Sequence, residues 1–450
     1  METEQLVAKY DLRVPRYTSY PTAPQFRPAV DAAVYAGWLA ALADDAPISL
    51  YLHVPFCAAL CWYCGCHTTA VTQRGPMDAY ADTLLAEIEV VGRAIGRRLP
   101  VSHVHWGGGT PHALPGERLR GIMARLRRTF AFAQDAEVAV EIDPRTAGAA
   151  VIDDLAAMGV TRASLGVQDF DPVVQRAVNR VQSYPETLAC ATRLRARGVR
   201  SINLDLIYGL PHQTEQGVAE TVCRALDLSP DRVAVFGYAH VPWLKRHQAL
   251  IAEADLPGRD QRQRQMQAAH AVLTDAGYVP IGLDHYALPG DALAQAAEAG
   301  TLRRNFQGYT TDQATTLIGL GASAIGAFAA GHVQNAASLP AYRDAIRAGR
   351  LATARGVELS AQDRLRADVI EQLMCRFSVD LPETAARHGS DPTELEDAAP
   401  ALDALAADGV IAWDGARIAL RPAARVLVRV VASAFDAYHR RDMLRHAPAV

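Results

Sequence analysis

Apolar residues follow two alternating patterns in the first half of the chain. Six short segments rich in Val, Ile, Leu and aromatic residues predict β-strands. These segments are residues 48–56, 102–108, 137–144, 162–168, 201–211 and 232–242. Between the first two, apolar residues recur every three or four positions from Met77 to Ile95, which predicts an amphipathic helix. Charged residues of that helix, such as Glu87, are left for its solvent-facing side.

Strands that alternate with helices at this pitch predict parallel β-α units. Six units are too few for an eight-fold barrel, so we expect a partial (β/α)6 TIM-like barrel, with an open doubly wound sheet as the alternative. In either fold, ligands bind at the carboxyl ends of the strands. Side chains at those ends are therefore the first candidates for chemistry.

The chain divides into three predicted parts. Residues 1–45 form an N-terminal arm, residues 46–350 the α/β barrel with an extension, and residues 351–450 a mostly helical C-terminal domain. A hairpin is predicted at residues 411–418, around Asp414 and Gly415. Helices followed by a hairpin also occur in nucleic-acid readers, but the absence of a dense basic stripe favours a helical cap packed beside the barrel.

Composition narrows the classes of function. The 450 residues include 49 acidic and 45 basic ones, a formal charge of -4, so we expect no nucleic-acid partner. Lys9 and Lys245 are the only lysines, which argues against a Schiff-base or Walker A lysine. No apolar run reaches the roughly 20 residues that cross a bilayer, and the first residues are polar, so we expect a cytoplasmic protein without a membrane partner.

Four of the seven cysteines lie together directly after the first predicted strand. Cys57, Cys61, Cys64 and Cys66 give the pattern C-x-x-x-C-x-x-C with one more cysteine two places on. Three thiolates on a short loop can each bind one iron of a four-iron cubane, which leaves the fourth iron open. The alternative is a structural zinc site completed by Cys66 or His67, although zinc motifs usually pair two separated knuckles.

Polar and glycine residues mark the ends of the following strands. Residues 107–110 read Gly-Gly-Gly-Thr, where glycines allow close approach of a ligand and free N–H groups could bind a carboxylate. Glu141, Gln168 and Asp205 end the third, fourth and fifth strands. Each of them alone could be a helix cap or turn former, and Arg180, just beyond the fourth strand, could be a surface ion pair.

The cysteine spacing resembles that of the radical S-adenosylmethionine (SAM) superfamily, and further motifs resemble one family within it, the oxygen-independent coproporphyrinogen III oxidases. These motifs occur from about residue 12 to the C-terminus. They are Arg-Tyr-Thr-Ser-Tyr-Pro-Thr at 16–22, Cys-Gly-Cys at 64–66, Gly-Val-Gln-Asp-Phe at 166–170, Asn-Arg at 179–180, Asp-Leu-Ile-Tyr-Gly-Leu-Pro at 205–211, Tyr-Ala-His at 238–240 and Asn-Phe-Gln-Gly-Tyr-Thr-Thr at 305–311.

The resemblance implies a [4Fe-4S] cluster on Cys57, Cys61 and Cys64, with Cys66 unligated beside it, and two SAM molecules. Cys66, Tyr51 and Glu141 are then the candidate catalytic residues. The residues implied for the first SAM molecule are Tyr51, Tyr63, Gly108, Glu141 and Ile325. Those implied for the second are Gly109, Thr110, Gln168, Arg180, Asp205 and Ala239. Two departures from the family pattern, the apolar residues 58–60 and His112, leave the predicted ligands intact.

The reaction implied is the oxidative decarboxylation of the ring A and B propionates of coproporphyrinogen III to vinyl groups. A monomer supplied with electrons by a donor such as a flavodoxin or ferredoxin is expected. Arginine forks suit the four carboxylates of this substrate, and the candidates are Arg13, Arg16, Arg303 and Arg304. Haem-carrying relatives with the same barrel are the alternative, but they typically lack both the fourth cysteine and the motif at 16–22.

The segment 16–22 precedes the first strand and contains Pro21 together with Thr18 and Thr22, which favour an extended conformation. We expect it to be an arm that covers the open end of the barrel and shields the reaction from water. A frayed terminus is the alternative.

Overall fold

The computed structural model describes residues 3–439. All six predicted strands are present and run parallel to one another. They are β1 (Ile48–Val54), β2 (Pro100–Gly108), β3 (Ala131–Ile142), β4 (Arg162–Gln168), β5 (Ser201–Tyr208) and β6 (Arg232–Gly237). β3 begins six residues earlier than predicted, and β5 and β6 end earlier, where the chain turns away from the sheet.

Six further strands extend the sheet to twelve. They are β7 (Val279–Ile281), β8 (His285–Ala287), β9 (Thr316–Leu320), β10 (Ile325–Phe328), β11 (Gly331–Asn335) and β12 (Thr353–Glu358). The strand order is 12-11-10-9-1-2-3-4-5-6-8-7. β1 to β6 follow one another without the reversal that defines a doubly wound sheet. The partial barrel is therefore confirmed, and β9, a seventh parallel strand paired with β1, was not predicted.

Helices separate the strands and cover the outside of the sheet. Those before residue 350 are α1 (Thr3–Lys9), α2 (Ala32–Ala40), α3 (Arg74–Ile95), α4 (Gly116–Thr129), α5 (Ala149–Ala157), α6 (Pro172–Ala177), α7 (Tyr184–Ala196), α8 (Glu215–Leu226), α9 (Arg259–Asp275), α10 (Ala292–Glu298) and α11 (Leu339–Arg347). None of the helices in residues 3–439 is long and apolar enough to span a membrane.

The predicted helix at 77–95 is α3, and its apolar side is buried as the pattern indicates. Glu87 is the exception, because it is buried rather than solvent-facing. Its carboxylate accepts hydrogen bonds from Gly321 N, Asn335 Nδ2 and Tyr342 Oη at 2.6–2.7 Å. Burial raises the pKa of Glu87 to about 7, although these three donors lower it in part. The side chain thus fixes the loop after β9 to α3.

The C-terminal part is mostly helical, as predicted, and includes the hairpin of Ile411–Trp413 and Arg417–Leu420. Ser378–Asp380 adds a third strand to that hairpin. The helices are α12 (Ala361–Arg376), α13 (Leu381–Arg387), α14 (Ala399–Ala407) and α15 (Val428–Ser433). Their apolar faces form a second core, separate from the barrel core.

The N-terminal arm packs into this second core. Val7, Val14, Tyr17 and Tyr20 are all buried among residues of the C-terminal part, and Tyr17 Oη donates to Asp436 at 3.0 Å. The segment is therefore an ordered arm and not a frayed terminus. The domain boundaries at residues 45 and 350 remain predictions.

Candidate active site

The predicted iron ligands lie on the loop that follows β1. Cys57, Cys61 and Cys64 line one cavity of about 310 Å³ at the carboxyl ends of the barrel strands. Thr68 Oγ1 lies 3.1 Å from the Cys57 sulfur, and Thr110 Oγ1 donates to the same sulfur at 3.6 Å. The loop therefore places all three thiols inside the barrel mouth.

Two arginines surround the Cys61 sulfur. Arg180 Nη1 lies 3.5 Å from it and Arg145 Nη2 lies 3.6 Å away. Both guanidinium groups also donate to Asp143. Although burial alone would raise it, the hydrogen bond from Arg145 and the charges of Arg180 and Arg145 lower the pKa of Asp143 to about 2. Two cations against one carboxylate leave a net positive charge beside the cysteine loop.

The glycine run after β2 passes directly beside the cysteines. Gly108 has a left-handed φ of 117°, and a Cβ atom on Gly109 would lie 3.0 Å from the Cys57 sulfur and 2.6 Å from a backbone oxygen. Only glycine fits there. The N–H groups of Gly108, Gly109 and Thr110 already donate to Glu141, Val54 and Phe56. The expectation that they are free to bind a carboxylate is therefore wrong, and the run contributes close approach instead.

Glu141 lies near the end of β3 and faces the cavity. His105 Nε2 lies 3.2 Å from its Oε1, and Gly108 N donates to its Oε2 at 3.1 Å. Burial would raise the pKa of Glu141, but the His105 hydrogen bond and charge, together with the Gly108 N–H, lower it. The side chain is thus an ionised acceptor that faces the cavity near the carboxyl end of β3.

Asp205 faces the same cavity from β5. Ser164 Oγ and Asn203 Nδ2 each donate to its carboxylate at 2.8 Å. Burial raises the pKa of Asp205, and the charge of Glu141 raises it further. Gln168 enters the cavity through a β-bulge with a left-handed φ of 70°, which is rare outside glycine. These carboxyl and amide groups offer acceptors for hydroxyl and amino groups of a ligand.

Twelve of the fifteen predicted site residues line this cavity. They are Cys57, Cys61, Cys64, Cys66, Tyr63, Gly108, Gly109, Thr110, Glu141, Gln168, Arg180 and Asp205. Tyr51 lies behind it, stacked on His105 at 5.9 Å between ring centroids. Ile325 begins β10, two strands from β1, and Ala239 lines a neighbouring cavity.

Several cavity residues were not predicted from the sequence. Asp143 and Arg145 follow Glu141 by two and four positions, in the sequence Glu-Ile-Asp-Pro-Arg, and an ion pair at the end of a strand was the available signal. Gln307 and Tyr309 reach the cavity from a hairpin between α10 and β9. Nothing in their local pattern indicates that this distant hairpin returns to the barrel.

The four candidate arginines lie outside the cysteine cavity. Arg303 Nε donates to Glu371 at 2.8 Å, and Arg304 donates to the backbone oxygens of Arg16 and Tyr17 at 3.3 Å. Arg13 lies over the ring of Trp243. Arg16 alone lines the larger neighbouring cavity of about 570 Å³. Structural partners therefore account for Arg303 and Arg304.

The cysteine loop fits the predicted cluster. A cubane held by three thiolates carries negative charge, and Arg145 and Arg180 supply two cations at Cys61. Hydrogen bonding from the Cys66 thiol lowers the pKa of Cys64 to about 6, which favours its thiolate. In residues 3–439 no three His, Cys, Asp or Glu side chains converge on a single metal ion, and a cubane does not require this because each thiolate binds a different iron.

Two family models match the chain. Residues 51–223 match the radical SAM superfamily, and residues 359–427 match the HemN C-terminal domain. The chain is 52% identical to an oxygen-independent coproporphyrinogen III oxidase of Bradyrhizobium diazoefficiens, over 100% of both chains. It is 42% identical to the enzyme of that name from Pseudomonas aeruginosa, over 96% of this chain and 95% of the other.

A solved structure is similar over nearly the whole chain. It is the coproporphyrinogen III oxidase (HemN) of Escherichia coli, described as a radical SAM enzyme. The TM-score is 0.90 at 38% sequence identity, and the match covers 95% of this chain and 100% of the other. The arm, the barrel and the C-terminal part thus share one arrangement with that enzyme.

Proposed function

This chain belongs to the oxygen-independent coproporphyrinogen III oxidases of the radical SAM superfamily, and we propose that it converts coproporphyrinogen III to protoporphyrinogen IX. The propionates of rings A and B are oxidatively decarboxylated to vinyl groups. The observation that carries the proposal is the single cavity in which three cysteines, the glycine run and the carboxylates of Glu141 and Asp205 meet. The full-length relatives are named as oxidases, so the haem-carrying alternative is not favoured.

Cys57, Cys61 and Cys64 would hold the [4Fe-4S] cluster. When bound and reduced, the cluster supplies the electron that cleaves SAM to methionine and a 5'-deoxyadenosyl radical. Arg145 and Arg180 offset the charge of the thiolates at Cys61. Cys66 lies two residues beyond Cys64, lines the same cavity, and is not one of the three proposed iron ligands.

Two groups of residues would bind the two SAM molecules. Tyr63 on the cysteine loop, together with Gly108 and Glu141 at the strand ends, is assigned to the first molecule. Tyr51 and Ile325 are assigned to it as well. Gly109, Thr110, Gln168, Arg180 and Asp205 are assigned to the second, together with Ala239, which follows β6 by two residues and lines the neighbouring cavity. The ionised Glu141 is suited to accept from an ammonium or a ribose hydroxyl, and Asp205 offers a second such acceptor.

Residues of this chain also limit access of water to the reacting atoms. Phe236, Leu293 and Tyr309 contribute apolar and aromatic side chains to the cavity wall. Exclusion of water by such a wall protects a reactive radical from side reactions. For each vinyl group formed, one hydrogen atom would pass from the substrate to the 5'-deoxyadenosyl radical, carbon dioxide would leave, and the remaining electron would pass to a one-electron acceptor. We further propose that the protein acts in the cytoplasm as a monomer and takes electrons from a flavodoxin or ferredoxin.

An anaerobic assay with dithionite, SAM and coproporphyrinogen III tests the proposal. We expect 5'-deoxyadenosine and protoporphyrinogen IX to form together. Product without cofactor cleavage, or no product with an intact cluster, would refute it. Cys57→Ala is the matched negative control, and the exposed Cys223→Ser is the positive one.

A further inference from the structure

A second cavity of about 570 Å³ lies beside the barrel mouth, between β6, α9, the N-terminal arm and the C-terminal part. Its volume falls within the roughly 300–1,000 Å³ typical of small-molecule sites. Phe236 faces the cysteine cavity, whereas its neighbours Val235 and Gly237 face this one. The two cavities therefore share β6 as a wall, and the carboxyl end of that strand is their common rim.

Four arginines line the second cavity. They are Arg16, Arg262, Arg425 and Arg429. Within residues 3–439, Arg16, Arg262 and Arg425 have no ion pair with any carboxylate. Asp284 is the one carboxylate in the wall, and it is hydrogen-bonded to His285 at 2.7 Å. The wall thus carries four guanidinium groups against one carboxylate, which leaves an excess of positive charge.

Two of the four guanidinium groups, those of Arg16 and Arg262, lie at the end of β6. Arg16 Nη2 donates to Gly237 O at 2.9 Å, and a Cβ atom on Gly237 would lie 3.4 Å from Arg262 Nη2. The Nε atom of Arg262 is buried without a hydrogen-bond partner. Burial and the nearby charge of Arg16 lower the pKa of Arg429 to about 10, a direction that an adjacent anion would reverse. An unpaired buried donor such as Arg262 Nε is costly unless a ligand satisfies it.

The remainder of the wall is largely apolar or aromatic. Tyr208, Tyr238, Met266, Leu283 and Tyr286 contribute to it. A ligand that matches this cavity is therefore an amphipathic ring system that carries more than one carboxylate. Inorganic phosphate or a simple dicarboxylate would leave the apolar wall uncovered.

We propose that this arginine cavity binds the propionates of the tetrapyrrole that do not react, and so holds the macrocycle over the carboxyl ends of β5 and β6. The inference rests on the proposed function and extends it to the substrate contacts. Rings A and B would then face the cysteine cavity across the shared rim. Because these propionates are retained in the product, substrate and product share the recognition.

Binding of coproporphyrin III, the fluorescent oxidised form of the substrate, tests the proposal without any turnover. We expect Arg262→Ala/Arg425→Ala to weaken binding at least tenfold and Arg262→Lys to weaken it less, because lysine keeps the charge but not the fork. The matched control is Arg200→Ala/Arg224→Ala, two exposed arginines at the opposite end of the barrel. Coproporphyrin tetramethyl ester, which has no free carboxylates, should bind the wild type and all of these variants with the same affinity.

Equal affinity of wild type and the Arg262→Ala/Arg425→Ala protein would overturn the inference, as would an equal loss in the control pair. Protoporphyrin IX, a product analogue, should depend on the same two arginines. In turnover, the double variant should raise KM for coproporphyrinogen III more than it lowers kcat. Cofactor cleavage by the wild type tests the proposed function separately. A failure of the arginine-cavity inference can therefore be distinguished from a failure of the proposed function.

A different observation concerns the outer face of the cysteine loop. Five of the eight exposed large apolar side chains in residues 3–439 lie on two segments, 172–182 and 241–252. They are Val173, Val181, Trp243, Leu244 and Leu250. Both segments contact the cysteine loop: Asn179 Nδ2 donates to Leu60 O at 2.9 Å, and Lys245 Nζ donates to Cys66 O at 2.9 Å.

These segments and the cysteine loop carry no acidic residue. Residues 55–77, 172–182 and 241–252 contain no Asp or Glu. At the average frequency of the chain, 49 in 450 residues, about five acidic residues would be expected there. They do contain the exposed Arg176 and Arg246, which have no ion pair within residues 3–439. A cationic, apolar surface on a chain of net charge -4 complements a small acidic protein, since opposite potentials steer association.

We infer that this surface docks a small acidic one-electron carrier protein. The inference rests on the proposed use of an external electron donor. One electron passes to the cluster and the carrier is oxidised by one electron, with no bond made or broken. We expect Arg176→Glu/Arg246→Glu to weaken binding of a flavodoxin at least tenfold at low salt and to flatten the salt dependence. Arg200→Glu/Arg224→Glu is the control of equal charge change.

The ratio of the cluster reduction rates by reduced flavodoxin and by dithionite provides a second measurement. It should fall at least tenfold in Arg176→Glu/Arg246→Glu and stay unchanged in the control, because dithionite needs no docking surface. Leu244→Asp should lower the same ratio. Wild-type affinity in the docking variant, or an equal loss in the control, would overturn this inference while leaving the proposed reaction intact.

Discussion

Arg180 Nη1 lies 3.5 Å from the sulfur of Cys61, although the two residues are 119 positions apart in the chain. The contact joins the loop after β1 to the segment after β4, and both residues are buried. One guanidinium group therefore serves the proposed cluster loop and the proposed second SAM site together.

The cysteines give the first prediction. Replacing Cys57, Cys61 or Cys64 by alanine should abolish both the cluster and cofactor cleavage, because only these three match the three-thiolate spacing. Cys66→Ser should keep its iron but lose turnover. Iron analysis and the visible spectrum of anaerobically purified protein provide the measurement. About four irons retained in Cys57→Ala, or iron lost in Cys66→Ser, would contradict the assignment.

The second prediction concerns the number of SAM molecules. Equilibrium dialysis with reconstituted protein should give two SAM molecules per chain and fall toward one in Asp205→Ala. The carboxylate of Asp205 faces the cavity, where it can accept a hydrogen bond from the second molecule, while Ser164 and Asn203 hold it in place. The exposed Asp153→Ala on α5 is the control. One molecule bound by the wild type would rule out the second site.

Glu87 predicts a pH dependence of stability. Burial raises the pKa of Glu87 from its ordinary value of 4.5 to about 7, so the folded state holds the proton more tightly than the unfolded state. The stabilisation is complete below about pH 4.5 and is lost as the pH rises to 7, by up to about 3 kcal/mol. In denaturant titrations, Glu87→Gln should remove this part of the slope. Parallel curves for the two proteins would show that the carboxyl does not titrate there.

The arm gives a stability prediction. Tyr17 is buried in the second core and bonded to Asp436, so Tyr17→Ala should cost about 3–5 kcal/mol. Thr18 is its half-buried neighbour, and Thr18→Ala should change the free energy of unfolding little. Deletion of residues 1–22 would expose the same core, so a point substitution such as Arg16→Ala tests substrate contact more cleanly. An unchanged unfolding midpoint in Tyr17→Ala would mean that the arm does not pack as described.

Much of the barrel could be predicted because its strands are short segments rich in buried Val, Ile and Leu residues that alternate with helices along the chain. β9 was missed because it has only five residues. It also follows a hairpin, and nothing in the local sequence indicates that the chain comes back to the barrel there. Glu87 was assigned to solvent because helical periodicity registers a charged residue as exposed, whereas its three donors come from more than 230 positions away.

The site shows the same limit. Strand ends identified Glu141, Gln168 and Asp205 because parallel strands bring their carboxyl ends to one edge. The arginines could not be ranked from the sequence, since Arg303 and Arg304 differ from Arg16 only in partners supplied by the tertiary fold. Arg262 and Arg425, on α9 and before α15, meet only when the C-terminal part packs against the barrel.

The central claim is that cofactor cleavage in this chain drives porphyrinogen decarboxylation. The most direct measurement is the amount of 5'-deoxyadenosine formed per protoporphyrinogen IX in a single anaerobic reaction with dithionite, SAM and coproporphyrinogen III. The account predicts at least two molecules of 5'-deoxyadenosine per product, one for each vinyl group. Protoporphyrinogen IX formed with fewer than two, or none formed by protein that cleaves SAM and holds its full cluster, would contradict it.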